Sequence, residues 1–163
     1  MNEKIKASLV LGSYLDTLGF NNGQCAHGGT WDRVIRVIDP TTLQFYTYSG
    51  TQVYNNASIN VMDGEWHHII VTLNQAGSNI YVDGNLTSTN PSQNIGQGNT
   101  GYFRFGGLSP NDLNNSMIGT YDDIGIWNRV LTLSEIQELY AVGQYPLTWS
   151  TADTTSSIWV TPG

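Results

Sequence analysis

Apolar and polar residues alternate with a period of two along much of the chain, as expected for strands with one buried face. Residues 33–38 (RVIRVI) and 43–48 (LQFYTY) show the alternation most clearly. The segment between them, residues 39–42 (DPTT), places a proline at a favoured turn position. The pattern therefore predicts a β-hairpin over residues 33–48.

A second hairpin is predicted further along the chain. Residues 66–73 (WHHIIVTL) and 79–82 (NIYV) are rich in β-branched and aromatic residues. Asp83 and Gly84 follow directly, and Asp-Gly after such a run is a strong signal for a type I′ turn. Residues 85–100 are poor in apolar side chains, which predicts a long loop with room for one edge strand.

Strand character returns at residues 102–107 and 117–127, after which the period changes. Thr132 and Glu135 have the spacing of a capping box at a helix N-terminus, and Gly143 can end that helix. One helix face then carries Leu133, Ile136, Leu139 and Tyr140. The chain is thus predicted to be all-β with one short C-terminal helix, placed as a lid on the rim.

The composition agrees with many short strands joined by polar turns. The chain contains 16 Asn, 17 Thr, 13 Ser and 18 Gly among 163 residues, while Lys and Arg together number 6. A net charge of −7 and the lack of a basic cluster argue against nucleic acid as a partner. No apolar run approaches the ~18–20 residues that a transmembrane helix needs, so no membrane insertion is predicted.

Cys25 is the single cysteine, so the chain can form no internal disulfide. Chains rich in Asn, Thr and Gly and poor in disulfides are common on bacterial surfaces, whereas small secreted animal domains usually carry disulfides. We therefore expect an extracellular or cell-surface protein. Residues 1–6 are followed by a segment too polar for a signal peptide, so the export signal is expected to lie outside this sequence.

Four segments, in order along the chain, carry a family resemblance. They are residues 64–72 (GEWHHIIVT), 80–84 (IYVDG), 119–131 (GTYDDIGIWNRVL) and 134–140 (SEIQELY). Together they resemble the laminin-G-like and pentraxin-like jelly rolls of the concanavalin A-like lectin/glucanase superfamily, over roughly residues 43–142. The resemblance implies a two-sheet antiparallel β-sandwich that recognises ligands through a concave face or rim loops. It also implies a structural role for His68.

The resemblance also suggests domain limits. Residues 1–143 are interpreted as the jelly-roll domain, with its first strands missing or divergent. Residues 144–163 are interpreted as a strand pair or as the start of a following immunoglobulin-like module. A shortened sandwich would expose strand edges, which predicts a homodimer formed by strand pairing.

A calcium site is predicted at Asp122 and Asp123. If Ile124 and Ile126 face the core, the period of two places Asp122 on the same side. An inward carboxylate is costly unless it is paired or bound to a metal. The resemblance implies a structural Ca²⁺ near this strand and points to Asp122, and the neighbouring Asp123 is the second candidate ligand. The alternative is a hydrogen-bonded aspartate at the end of the strand.

Aromatic residues on the polar face of the first hairpin are the candidates for ligand binding. Tyr46 and Tyr48 share one face of their strand, opposite Phe45, and Trp31 and Tyr54 flank the hairpin. Aromatic rings stack on the apolar faces of sugars, and amide side chains supply directed hydrogen bonds. The alternative is ordinary packing.

A catalytic role is not predicted. Glucanases of this superfamily need two carboxylates spaced along one strand, and no strand here carries such a set. The sequence therefore predicts a non-catalytic extracellular module from a larger secreted or surface protein, which binds a glycan or an extracellular protein. The alternatives are a structural or oligomerising spacer and a remnant of a glucanase-like glycoside hydrolase.

Overall fold

The computed structural model of the chain describes residues 3–8, 32–93, 95–96 and 119–142. These residues contain eight strands and one helix. In chain order they are β1 (Glu3–Ser8), β2 (Val34–Asp39), β3 (Thr42–Tyr48), β4 (Gln52–Ser58), β5 (Trp66–Asn74), β6 (Gly77–Val82), β7 (Asn85–Asn90), β8 (Gly119–Gly125) and α1 (Leu133–Val142). The strand predicted at 102–107 and the module predicted at 144–163 lie outside the described residues.

The strands form two sheets. The three-stranded sheet has the order β2-β3-β4 and is antiparallel, as the first hairpin predicts. The five-stranded sheet has the order β7-β6-β5-β1-β8, and β5, β6 and β7 are antiparallel neighbours. The strand β1 is parallel to both β5 and β8, a pairing that the sequence did not predict. The predicted all-β sandwich with one short helix is confirmed.

The inward rows of the two sheets meet in a single core. Leu43 and Phe45 point into it from β3, because alternate residues of a strand share one face. The same cluster contains Ala57 from the neighbouring β4, Val61 from the loop after it, and, from the facing five-stranded sheet, Ile69, Val71, Leu73, Ile80 and Val82. Burial of a side chain of this size contributes about 1.5–3 kcal/mol, so these two rows hold the sheets together.

Helix α1 packs against the other face of the five-stranded sheet. Ile70 on β5 forms a second buried cluster there with Leu131 and Ile136. His68, on the same face, is buried and stacks on Tyr140 with a ring-centroid distance of 6.0 Å. The helix therefore covers a sheet face rather than the rim, and β5 is buried on both sides.

The local signals for the turn and the helix cap are confirmed. Asp83 and Gly84 have φ values of 52° and 75°, the two left-handed residues that a type I′ turn requires. The Thr132 amide donates to Glu135 Oε2 at 2.8 Å, and the Glu135 amide donates to Thr132 Oγ1 at 3.3 Å. Hydrogen bonds from Arg129 and then from Thr132 lower the pKa of Glu135 to about 2.

Polar side chains close one side of the sandwich, where β4 meets β6 and β7. Asn55 is buried and donates to Ser78 Oγ at 2.9 Å, while Ser88 Oγ donates to Asn55 Oδ1 at 2.6 Å. Asn90 Nδ2 donates to the Tyr54 carbonyl at 2.7 Å. These bonds occupy the facing edges of β4 and β7. Homodimer formation by strand pairing stays a prediction.

Candidate functional site

The outer face of the three-stranded sheet, on the side away from the core, carries three of the four aromatic residues predicted to bind ligand. The register of β2, β3 and β4 places on this outer face Val34, Arg36, Thr42, Gln44, Tyr46, Tyr48, Gln52, Tyr54, Asn56 and Ser58, with Asp39 opposite Thr42 at a β-bulge. Tyr46 and Tyr54 are paired across β3 and β4, with ring centroids 5.9 Å apart and planes tilted by 53°. Trp31 lies outside the described residues.

The three tyrosines differ in how far a ligand can reach them. Tyr54 is 39% exposed, Tyr48 is half-buried and Tyr46 is only 3% exposed. Arg36 covers Tyr46, with its Cζ atom 5.1 Å from the ring centroid. Burial raises the pKa of Tyr46 to about 12, although Arg36 acts in the opposite direction. Tyr46 thus stays protonated and lies buried beneath Arg36, whereas Tyr54 is the ring on which a ligand can stack.

A row of hydrogen-bonded side chains crosses the outer face beside these rings. Arg36 Nε donates to Gln44 Oε1 at 2.9 Å, and Gln44 Nε2 donates to Asn56 Oδ1 at 2.8 Å. Arg36, Gln44 and Asn56 are direct partners in the strand register. The Tyr54 hydroxyl donates to Gln52 Oε1. Each of these side chains is therefore held in place before any ligand arrives.

The outer face has the chemistry of a shallow binding surface. It combines one accessible aromatic ring with fixed amide and guanidinium groups, a combination that suits a sugar with apolar C–H faces and hydroxyls. Asp39, at the turn end of β2, is the one carboxylate of these three strands, and its Oδ1 atom accepts the Thr41 amide at 2.8 Å.

The reasoning that placed calcium at Asp122 and Asp123 does not hold in the structure. Ile124 and Ile126 are 42% and 38% exposed, so they do not point into the core as expected. Asp122 is exposed too, and its Oδ1 atom accepts the Asp123 amide at 2.9 Å. Asp123 has a left-handed φ of 52°, which breaks the alternation.

Two exposed neighbouring carboxylates do not make a calcium site by themselves. Ca²⁺ takes six to eight oxygen ligands. Among the described residues, no three His, Cys, Asp or Glu side chains are grouped so that they could hold a metal ion. Calcium binding at Asp122 and Asp123 therefore stays a prediction.

A histidine between two carboxylates was missed by the sequence reasoning. His67 Nδ1 lies 2.8 Å from Asp83 Oδ2, and His67 Nε2 lies 3.0 Å from Asp63 Oδ1. Asp83 Oδ1 also accepts the His68 amide at 2.9 Å. The tight turn that ends β6 brings Asp83 beside β5, so the register of the predicted hairpin could have revealed this contact. The cluster joins the turn before β5 to the turn after β6.

The charges of this cluster affect the titration of the histidine. Burial alone would lower the pKa of His67, but hydrogen bonds and charges from Asp83 and Asp63 outweigh it and raise that pKa above 6.5. Hydrogen bonds from the Glu65 amide and from His67 lower the pKa of Asp63. The protonated histidine is thus favoured in the folded state.

We expect a pH-dependent contribution of His67 to stability. Because the folded pKa is raised, the contribution is fully present below the unfolded pKa and is lost as the pH rises through the folded pKa. His67→Gln should cost about 1 kcal/mol of unfolding free energy at about pH 6 and clearly less at about pH 9. Urea unfolding at both pH values measures the difference. An equal cost at the two values would show that protonation does not matter.

A buried ion pair anchors the start of β2 next to the outer face. Asp32 is fully buried, and its Oδ2 atom lies 3.1 Å from Arg33 Nη1. Asp32 Oδ1 accepts the backbone amides of Arg33 at 2.9 Å and Tyr48 at 2.8 Å. Arg33 Nη2 donates to the Ile95 carbonyl at 2.9 Å. The pair fixes the end of β3 that carries Tyr48, although no periodic signal in the sequence points to it.

The fold and the outer face define a lectin-like β-sandwich, a class of recognition domain. The family model Laminin_G_3, described as concanavalin A-like lectin/glucanases superfamily, matches residues 13–137. The chain belongs to this family. The resemblance inferred from the four sequence segments is confirmed.

The chain is similar to the crystal structure of residues 221–444 of an S-layer domain-containing protein from Clostridium thermocellum ATCC 27405, with 25% identity and a TM-score of 0.39. The similarity covers 61% of this chain and 51% of that one, so the chain spans about half the length of that structure. No curated protein matches the chain.

No helix of the described residues is long and apolar enough to cross a membrane.

Proposed function

We propose that the chain is a non-catalytic module of the extracellular type that binds carbohydrate through the outer face of β2, β3 and β4. Membership of the lectin/glucanases superfamily supports a role in recognition. Asp39 is the one carboxylate on β2, β3 and β4, whereas glycoside hydrolysis needs a pair, which supports binding without hydrolysis. The Asn- and Thr-rich composition with a single cysteine supports a place in a larger secreted or surface protein.

The exposed ring of Tyr54 beside fixed hydrogen-bond donors carries the proposal. A sugar ring stacked on Tyr54 buries its apolar face against the aromatic ring. The neighbouring amides of Gln52 and Asn56 can then bond the hydroxyls at the edge of the sugar. Both amides lie on β4, two residues before and two residues after Tyr54.

Glycan-array screening followed by calorimetry tests this proposal. We expect at least one neutral glycan to bind, and Tyr54→Ala to weaken its binding by about tenfold or more. Trp66→Ala is the matched control, because Trp66 is a comparably exposed aromatic residue (36%) on the other sheet. The control should bind as tightly as the unchanged protein.

Two results would contradict the proposal in different ways. A folded protein that binds no glycan on the array would favour a structural spacer. Equal losses for Tyr54→Ala and Trp66→Ala would mean that the glycan does not bind at the outer face. Hydrolysis of any bound β-glucan would contradict the non-catalytic part.

A further inference from the structure

The outer face contains one cationic side chain, Arg36, which is exposed to solvent. The one carboxylate of β2, β3 and β4 is Asp39, at the turn end of β2, where it accepts hydrogen bonds from Thr41. The chain as a whole has a net charge of −7 and six basic residues, so an exposed cation on the candidate binding surface is unusual for this protein. Arg36 therefore distinguishes the outer face from the rest of the molecule.

Arg36 determines which group donates and which accepts in the hydrogen-bonded row of Arg36, Gln44 and Asn56. A guanidinium group can only donate, so the atom of Gln44 at 2.9 Å from Arg36 Nε must be its carbonyl oxygen. The Gln44 amide nitrogen then points to Asn56 and donates to its carbonyl oxygen at 2.8 Å. The nitrogen of Asn56 is left as the last group of the row. The row therefore presents donors at both ends.

The terminal N–H groups of Arg36 can still donate hydrogen bonds to a ligand. In the described part of the chain, the protein contacts of Arg36 are the bond from Nε to Gln44 and the ring of Tyr46. Its terminal nitrogens Nη1 and Nη2 stay available as a planar pair. The Tyr46 ring and the Gln44 carbonyl fix the plane of that pair, so little side-chain entropy is lost when it binds.

We infer that the glycan recognised by the outer face carries a carboxylate, as in a uronic acid, and that Arg36 Nη1 and Nη2 bind its two oxygens. This inference rests on the proposed function and names the class of sugar. A planar carboxylate matches the two terminal nitrogens in a bidentate pair. The net charge of −7 opposes a long polyanion, so one acidic sugar next to the unit stacked on Tyr54 fits best.

Gln44 acts as a positioning residue in this arrangement. It is 6% exposed, and both ends of its amide are used within the row. It does not reach the ligand itself but holds Arg36 Nε, which leaves the terminal nitrogens as the binding pair. Gln44→Leu should therefore reduce the preference for acid over neutral sugar.

Calorimetry with two matched disaccharides tests the inference. One ends in glucuronic acid and the other ends in glucose at the same position. We expect the acid to bind about tenfold more tightly at low salt. The preference should shrink when the salt concentration is raised from about 0.05 M to about 0.5 M, because the ion pair is exposed. A third disaccharide with a sulfate ester in place of the carboxylate separates the two anions.

Three variants make the test specific. Arg36→Gln should bring the ratio of acid to neutral affinity close to one, and Arg36→Lys should restore only part of it, because lysine keeps the charge without the planar pair. Arg129→Gln is the control for net charge, since Arg129 is exposed near α1 and away from the outer face. It should keep the full preference.

The possible failures are distinguishable. If the neutral disaccharide binds with dependence on Tyr54 and the acid binds no better, the inference is wrong and the proposed function stands. If the sulfate ester binds more tightly than the carboxylate, the assignment to uronic acid is wrong. If Arg129→Gln reduces the preference as much as Arg36→Gln does, the effect is general electrostatics. If no disaccharide or array glycan binds, both proposals fail.

Discussion

Replacing Asp32 with alanine should lower the free energy of unfolding by about 3–5 kcal/mol, because it removes one partner of a buried ion pair. Asp32 is 0% exposed and Arg33 is 7% exposed, so the guanidinium would stay buried without its neighbouring carboxylate. The backbone amides of Arg33 and Tyr48 would also lose an acceptor. This loss would approach half the stability of a typical domain.

Urea unfolding with two comparison variants tests the Asp32 prediction. Asp32→Asn keeps an acceptor for the two amides and removes the charge, so its loss should be intermediate. Asp39→Ala, at the exposed far end of β2, should change stability several times less than Asp32→Ala. Similar losses for Asp32→Ala and Asp39→Ala would contradict the buried ion pair.

Phe45→Ala should cost a similar amount, about 3–5 kcal/mol, because it empties the centre of the core between the sheets. Phe45 is 0% exposed and belongs to the cluster that joins β3 to β5 and β6. If the alanine variant does not fold, Phe45→Leu gives a smaller loss that still can be measured. Ile38→Ala, 46% exposed on the neighbouring strand, is the control and should have little effect.

The result of this experiment separates two descriptions of the fold. A large loss for Phe45 and a small one for Ile38 is expected if the two sheets face each other as described. Equal, small losses would mean that the three-stranded sheet is not packed on the five-stranded one. In that case the outer face would not be the side that remains accessible.

The packing explains which surface is left for a ligand. Helix α1 covers the second face of the five-stranded sheet through Ile70 and Ile136. The core covers the facing sides of both sheets. Within the described residues, neither the core nor α1 covers the outer face of β2, β3 and β4, and it carries the accessible ring of Tyr54.

Local structure was the part of the fold that the sequence predicted best. The turn at Asp83-Gly84 and the cap at Thr132 depend on neighbouring residues only, and both are confirmed. The position of β1 depends on pairing with β5 and β8, which lie far away in the sequence. Alternation within one segment contains no information on such partners, so this pairing could not be predicted.

The candidate site was also predicted only in part, because the pairing of neighbouring strands decides which side chains meet. Period-two alternation correctly put Tyr46 and Tyr48 on one face. It could not show that Arg36 on β2 covers the Tyr46 ring, or that Tyr54 on β4 stays exposed, because both depend on the register of three strands. The alternation also predicted wrongly that Ile124, and with it Asp122, faces the core. Ile124 is exposed, and the left-handed backbone of Asp123 interrupts the alternation.

The central claim is that the outer face of β2, β3 and β4 binds the ligand, and an NMR titration of the full chain tests it most directly. The probe is the disaccharide ending in glucuronic acid, added while backbone amide and arginine side-chain signals are followed. The account predicts shifts at β2, β3 and β4, centred on Arg36 and Tyr54. Saturable shifts confined to α1 and the five-stranded sheet would contradict it.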